Sequence, residues 1–359
     1  MTRTFLFGMV SVLLASTSLA AESQRLIFAF ESESASEGAS IDAFGKDLKG
    51  ASANAKGSYA LTHSQANVGF CQGDWCFGVF ERYDHELRYN TDTLQFYIAD
   101  SNDVAIDDRP FAIFLESNEL RSRGLSVAYH WRDLERWQAM WRVNLLTSSD
   151  VSMATLSGNI DVQDGAAGGL LALDYMYSED QLLDRSPEPV DGLGYSMDIA
   201  LNYRFKNDWL LSVSGQDAFS HVQWRNITST QATIDSNTIS FNEQGIISSK
   251  PALSGAFDKR DATQRLPSRW RVALEGDDSE YFENWQVAYQ RFGEKSFLWF
   301  TPAWQFEQWQ IALPLEITQG AFGVSARHKN GIEAALVIDS FSRSKAERII
   351  LSLNFNIEL

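Results

Sequence analysis

What this chain lacks narrows it first. After its opening twenty residues, no uninterrupted apolar run reaches the roughly 18 residues that a membrane-crossing helix requires. Acidic residues outnumber basic ones 47 to 30, and the net charge of −17 would repel phosphate backbones, so nucleic acid is excluded as a partner. No GxSxG elbow and no HExxH metal motif occurs. Histidine appears only five times, at positions 63, 85, 130, 221 and 328. The one acid–histidine neighbour pair, Asp84-His85, lies in a strand-like stretch where successive side chains point to opposite faces, which works against a dyad. The acidic runs Asp107-Asp108 and Asp277-Asp278-Ser279-Glu280 lack the alternation and the glycine of a calcium loop. The expectation is a chain that is no enzyme and carries no metal and no cofactor.

Cysteine is almost absent too. Cys71 and Cys76 are the only two, and they bracket a tight Gln-Gly-Asp-Trp turn in VGFCQGDWCFGVF. Met1–Ala20 carries Arg3, an apolar core from Phe5 to Ala15 and the small residues Ser18 and Ala20, the plan of a secretory signal peptide cleaved after Ala20. Export to an oxidising compartment and the hairpin geometry together predict a structural disulfide between the two cysteines.

What is present is alternation. In Glu347–Leu359, ERIILSLNFNIEL, every second residue from Ile349 is large and apolar, with Ser352, Asn354, Asn356 and Glu358 between. This is a strand with one apolar and one polar face. Such a strand resembles the closing strand and assembly signal of Gram-negative outer-membrane β-barrels, with Leu359 standing where Phe or Trp is usual. The resemblance implies insertion by the barrel-assembly machinery through the C-terminal strand, and contact with outer-membrane lipid. Composition agrees: 44% of residues are hydrophobic and 13% aromatic, yet mean hydropathy is −0.23, as expected when half of each strand faces lipid and half faces water. Aromatics flank short polar turns at Phe205 and Trp209, at Trp131 and Trp137, and at Trp299, Trp304 and Trp309, the placement of a membrane-interface girdle.

From Ser268 onward the period-two pattern barely breaks, and Lys329-Asn330-Gly331 supplies an Asn-Gly hairpin turn. Earlier strands are read at 25–31, 65–71, 75–89, 93–100, 110–116, 124–132, 137–146, 151–162 and 168–177. The fold class is therefore all-β, a transmembrane antiparallel up-and-down barrel of roughly 14–16 strands, forming one domain over residues 21–359. Three polar segments are read as long loops: Ser32–Lys56, expected to act as a loop or partial plug that narrows the lumen, Ser178–Gly192 and Ser248–Pro267.

Charged residues on lipid-facing positions would cost about 2–4 kcal/mol each near the midplane. Parity therefore turns Arg132, Arg142, Asp198, Arg204, Arg269, Arg271, Glu316, Glu333 and Asp339 toward the lumen, with Arg204 and Asp198 as constriction candidates. There they either line a wetted channel for an unidentified small solute or pair with one another and brace a closed interior. GYSMDIALNYRFKNDWLLSVSGQD, residues 194–217, also resembles FadL-like hydrophobic-substrate transporters in its Gly-led strand, tight turn and closing Gly-Gln-Asp. A charged lumen suits a fatty substrate poorly. The sequence-level function is an outer-membrane channel or transporter for small solutes, or a non-conducting barrel serving a surface appendage or secretion system.

Overall fold

The last strand closes the sheet. β19 (Arg348–Glu358) pairs antiparallel with the first strand, β1 (Gln24–Ser36), along one edge and with β18 (Ile332–Ile338) along the other. The computed structural model describes residues 24–133, 136–164, 166–180, 187–206, 209–235, 239–241, 247–249, 253–276 and 282–359, without the side chains of 132, 133, 239–241, 247–249 and 253.

Around the circuit from β1 come β2 (Tyr59–Gln72), β3 (Trp75–Tyr89), β4 (Pro110–Asp133) and β5 (Trp137–Gln163). The next position holds two strands end to end. β6 (Ala166–Tyr177) pairs with the upper half of β5, and β7 (Gly192–Arg204) with its lower half. β8 (Leu210–Asp235) covers both, and its far edge again meets two strands in line, β11 (Leu253–Gln264) above β12 (Arg269–Gly276). A small hairpin of β9 (Ile239–Phe241) and β10 (Ile247–Ser249) stands between β8 and β11. β13 (Asn284–Phe292), β14 (Lys295–Phe306), the broken pair β15 (Trp309–Ala312) and β16 (Leu315–Glu316), and β17 (Ala321–His328) lead to β18. The result is a closed antiparallel barrel of 14 staves.

Parity sorts the side chains as an up-and-down barrel requires. Leu26, Phe28, Val68, Phe77, Val79, Leu125, Leu145, Val272, Val324, Leu336 and Leu351 are exposed on the outer wall, while Leu61, Phe80, Leu120, Leu146, Phe297 and Val337 are buried inside. Near the termini, aromatic pairs ring the wall: Trp75 with Tyr129, Trp137 with Tyr203, Trp209 with Trp285, and Trp309 with His328, at centroid distances of 4.8, 4.4, 5.4 and 4.6 Å. Amphipathic rings of this kind settle where hydrocarbon meets water. Gly331 makes the tight turn between β17 and β18 at φ 84, a conformation that glycine adopts without cost.

The wall is uneven. β4, β5 and β8 run 24, 27 and 26 residues, whereas β17 and β18 have 8 and 7. On the tall side the outer apolar band stops at Val79, Leu125 and Leu145, and the exposed Glu81, Arg121, Arg123 and Asp150 follow directly.

Several sequence readings need correction: 110–116 with 124–132, and 137–146 with 151–162, are each one continuous strand, β4 and β5. Residues 93–100 are not a strand. They belong to helix α2 (Thr91–Ser101), because the Asn90 side chain caps it by accepting from the Thr93 N–H at 2.9 Å, and Leu94 and Ile98, one helical turn apart, are both buried. Most of Ser248–Pro267 is strand β11 rather than loop. Its backbone pairs with β8, and its lack of an apolar face reflects a position beyond the apolar band. Trp299 is not part of the girdle: it pairs with Ala288 and Glu316 on the inner parity and is buried beneath Arg348.

At the end opposite the termini, residues 37–58, including helix α1 (Ile41–Phe44), pack with α2 around Ala43, Leu48, Tyr89, Leu94 and Ile98. The Ile41 N–H donates to the Ala346 carbonyl at 2.9 Å, which ties this cap to the β18–β19 loop.

Candidate functional site in the lumen

The interior carries a chain of buried ion pairs that crosses from one wall to the other. His63 on β2 stands directly opposite Asp84 on β3, and its Nδ1 lies 2.7 Å from Asp84 Oδ1. Two residues before Asp84, on the same face, Arg82 donates from Nε to Asp84 Oδ2 at 2.7 Å. The far end of that guanidinium reaches β8, where Nη1 and Nη2 donate to the two Asp217 oxygens at 2.9 and 2.8 Å. Asp217 can meet it because β8 bulges against β7 between Met197 and Ile199, with Asp217 at φ 51. Such bulges re-aim a side chain without ending the strand. The Asp217 N–H in turn donates to Asp198 Oδ1 at 2.9 Å, and Asn144 donates to Asp198 Oδ2 at 3.1 Å.

A second group lies beside the first. Arg269 on β12 donates to Glu31 at 2.8 Å and to Glu33 at 3.2 Å, and also to Gln216. Arg348 on β19 donates to Glu33 at 2.6 Å while lying 4.1 Å over the Phe297 ring, and Gln290 adds a bond to Glu33 at 2.9 Å. Arg82, Asp84, His63, Asp217, Glu33 and Arg348 are each 3% exposed or less. Charges taken this far from water persist only when paired and hydrogen-bonded.

Apolar side chains close the space beside these pairs. Phe80, Leu120, Leu146, Val222, Trp224 and Ile227 pack together, and the two breaks in the wall supply Val190, ahead of β7, and Leu266, ahead of β12. Toward the termini the filling stops. A cavity of about 490 Å³ lies there, lined by Arg142, Asp198, Arg269 and Arg271, with Glu31, Asn67, Met140, Gln216, Trp270 and Gln290. A hollow of about 550 Å³ involves Glu81, Tyr83 and Arg121, but those residues share the outward parity of Val79 and Leu125, so it opens on the outer face.

Of the residues picked from the sequence, four meet in the inner cavity: Arg142, Asp198, Arg269 and Arg271. Glu333 pairs with Arg327 at 3.0 Å beside a separate hollow of about 180 Å³. Glu316 holds a turn, accepting from the Thr318 and Gln319 N–H groups at 2.6 and 3.0 Å. Asp339 accepts from the Glu347 and Arg348 N–H groups at 3.0 and 3.1 Å. Arg204 is exposed at the lower end of β7, away from Asp198, so these two form no constriction. The Arg132 side chain lies outside the described residues. The cysteines form a disulfide across the β2–β3 turn, with S–S 2.05 Å.

Sequence reading missed His63, Arg82, Asp84, Asp217, Glu33 and Arg348. The parity of Phe80, Arg82 and Asp84 was a usable signal. The register that sets Asp84 against His63, rather than its neighbour His85, was not.

Strand closure, the outer apolar band and the aromatic ring define the class: this is a β-barrel of the outer-membrane type. No family model matches the chain, and no curated protein does. Among solved structures, the toluene transporter TbuX of Ralstonia pickettii is similar over 95% of this chain and 90% of its own, at 12% identity and a TM-score of 0.46. The toluene transporter TodX of P. putida matches over 95% and 91% at 10% identity and a TM-score of 0.42. A FadL homologue of Pseudomonas aeruginosa matches over 94% and 90% at 9% identity and a TM-score of 0.30. Likenesses this remote assign no solute.

Proposed function

We propose that this chain is an outer-membrane channel that passes small solutes through its lumen and is closed, in the conformation described, by the Arg82–Asp217 layer. The observation that carries the proposal is the juxtaposition of a charged cavity of about 490 Å³ with a barrier of paired side chains. An ion-pair barrier opens by exchanging partners, whereas a purely apolar filling would need repacking. Orientation follows from the connections: short turns at residues 73–74, 307–308 and 329–331 share an end with the termini, and the long connections 37–58 and 90–109 lie at the other. In outer-membrane barrels the short turns face the periplasm, and this supports reading the cavity as open to that side. The solute of the toluene transporters does not carry over, because the cavity here is charged.

The filled region around Trp224 favours a second reading, a barrel that braces an assembly and conducts nothing. Single-channel recording of the refolded protein in a planar bilayer separates the two. Discrete steps that become longer when the Arg82–Asp217 pair is removed support a gated channel, and silence in both forms supports the brace.

A further inference from the structure

The cavity holds more cation than its own carboxylates use. Arg269 donates from Nη1 to Glu31 and Glu33 and from Nη2 to Gln216. Arg142 approaches Asp198 only as an ion pair at 3.7 Å, and the Arg271 guanidinium donates to Gln286 at 2.7 Å. A guanidinium has five N–H donors in a planar fork that fits a carboxylate, so Arg142 and Arg271 each keep donors for a further acceptor. On β2, Asn67 lines the same cavity, and its side-chain oxygen is buried without a hydrogen-bond donor. Met140, Ile27 and Ile199 give the walls a short apolar stretch.

We infer that this cavity is a receptor for a small carboxylate that also carries a hydroxyl or ammonium donor, the carboxylate held by Arg142 or Arg271 and the donor by Asn67. A volume of about 490 Å³ falls within the range of small-molecule sites. The inference rests on the channel reading for delivery of the solute, but binding itself needs no conduction.

The test is calorimetric titration of the full-length refolded protein in detergent at low salt, with lactate as the probe. Methyl lactate, which lacks the charge, and propionate, which lacks the hydroxyl, are the controls. Saturable lactate binding that weakens about tenfold or more in Arg271→Gln or Arg142→Gln, with heat-modifiable migration retained, is the expected result. The two variants lie on different strands, so a folding failure in one leaves the other. Equal binding of methyl lactate, or lactate affinity retained in both variants, overturns the site. Equal binding of propionate overturns the role of Asn67. A protein that conducts but binds no lactate overturns this inference and keeps the channel; one that binds lactate but never conducts keeps the site and overturns the channel.

Discussion

Arg82 and Asp217 lie 135 residues apart and meet in a two-pronged ion pair inside the barrel, joining β3 to β8 across the lumen. Removing one partner of a buried pair leaves the other uncompensated, at a cost of about 3–5 kcal/mol, while replacing both with apolar residues of similar size is often nearly neutral. Asp217→Ala should therefore lower the urea midpoint of the refolded barrel sharply, and Arg82→Met with Asp217→Leu should recover part of the loss, because Asp84 is then left with His63 alone. Equal losses in the single and double variants would contradict this account of the pair.

Gly192 begins β7 directly opposite Trp224, and a Cβ there would come within 2.8 Å of the buried indole. The Trp224 ring is fully buried and donates from Nε1 to Gln264 at 3.0 Å, so it has no room to withdraw. Gly192→Ala should destabilise by about 1–3 kcal/mol. The temperature at which the heat-modifiable band converts is the readout, and an unchanged temperature would show that the ring can move.

The Cys71–Cys76 bond closes a short loop that the β2–β3 ladder already holds, since Cys71 and Cys76 are themselves register partners. Loop-closure entropy for so few residues amounts to about 2 kcal/mol. Urea titration of Cys71→Ser with Cys76→Ser should show a loss of that size or less and a barrel that still forms; failure to fold would assign the bond a larger part.

The cap at the long-loop end should respond to acid. Asp42 accepts from Lys46 at 2.7 Å and pairs with Arg343 at 2.6 Å; these partners hold its carboxyl below the ordinary value of 3.8. A depressed carboxylate contributes stability that is fully present above that ordinary value and is lost as pH falls through the depressed one. Glu347 behaves in the opposite sense, because burial first, and then Asp339 and Glu37, raise its carboxyl. Its contribution is present below the ordinary value of 4.5 and is lost as pH rises through the raised one. Hydrogen exchange at the Ile41 amide, which bonds to Ala346, should accelerate in strong acid in the native chain and show less acid dependence in Asp42→Asn.

Much of the barrel was legible because period-two alternation follows from geometry: a strand between lipid and water must alternate, and the final strand does so from Ile349 to Leu359. Legibility failed where that constraint lapses. β11 lies beyond the apolar band, and α2 is set by the Asn90 cap and a buried Leu94–Ile98 stripe. Parity also set Arg142, Asp198, Arg269 and Arg271 on the inner face, and the four line one cavity. Which charge meets which depends on strand register and on the Asp217 bulge, and neither is written in local sequence.

The most direct measurement is single-channel conductance of the refolded chain beside Arg82→Ala with Asp217→Ala, a pair change that leaves Asp84 to its other partner, His63. A gated lumen predicts brief discrete steps in the native protein and longer or larger ones in the variant. A variant that folds, inserts and stays as silent as the native chain would contradict it.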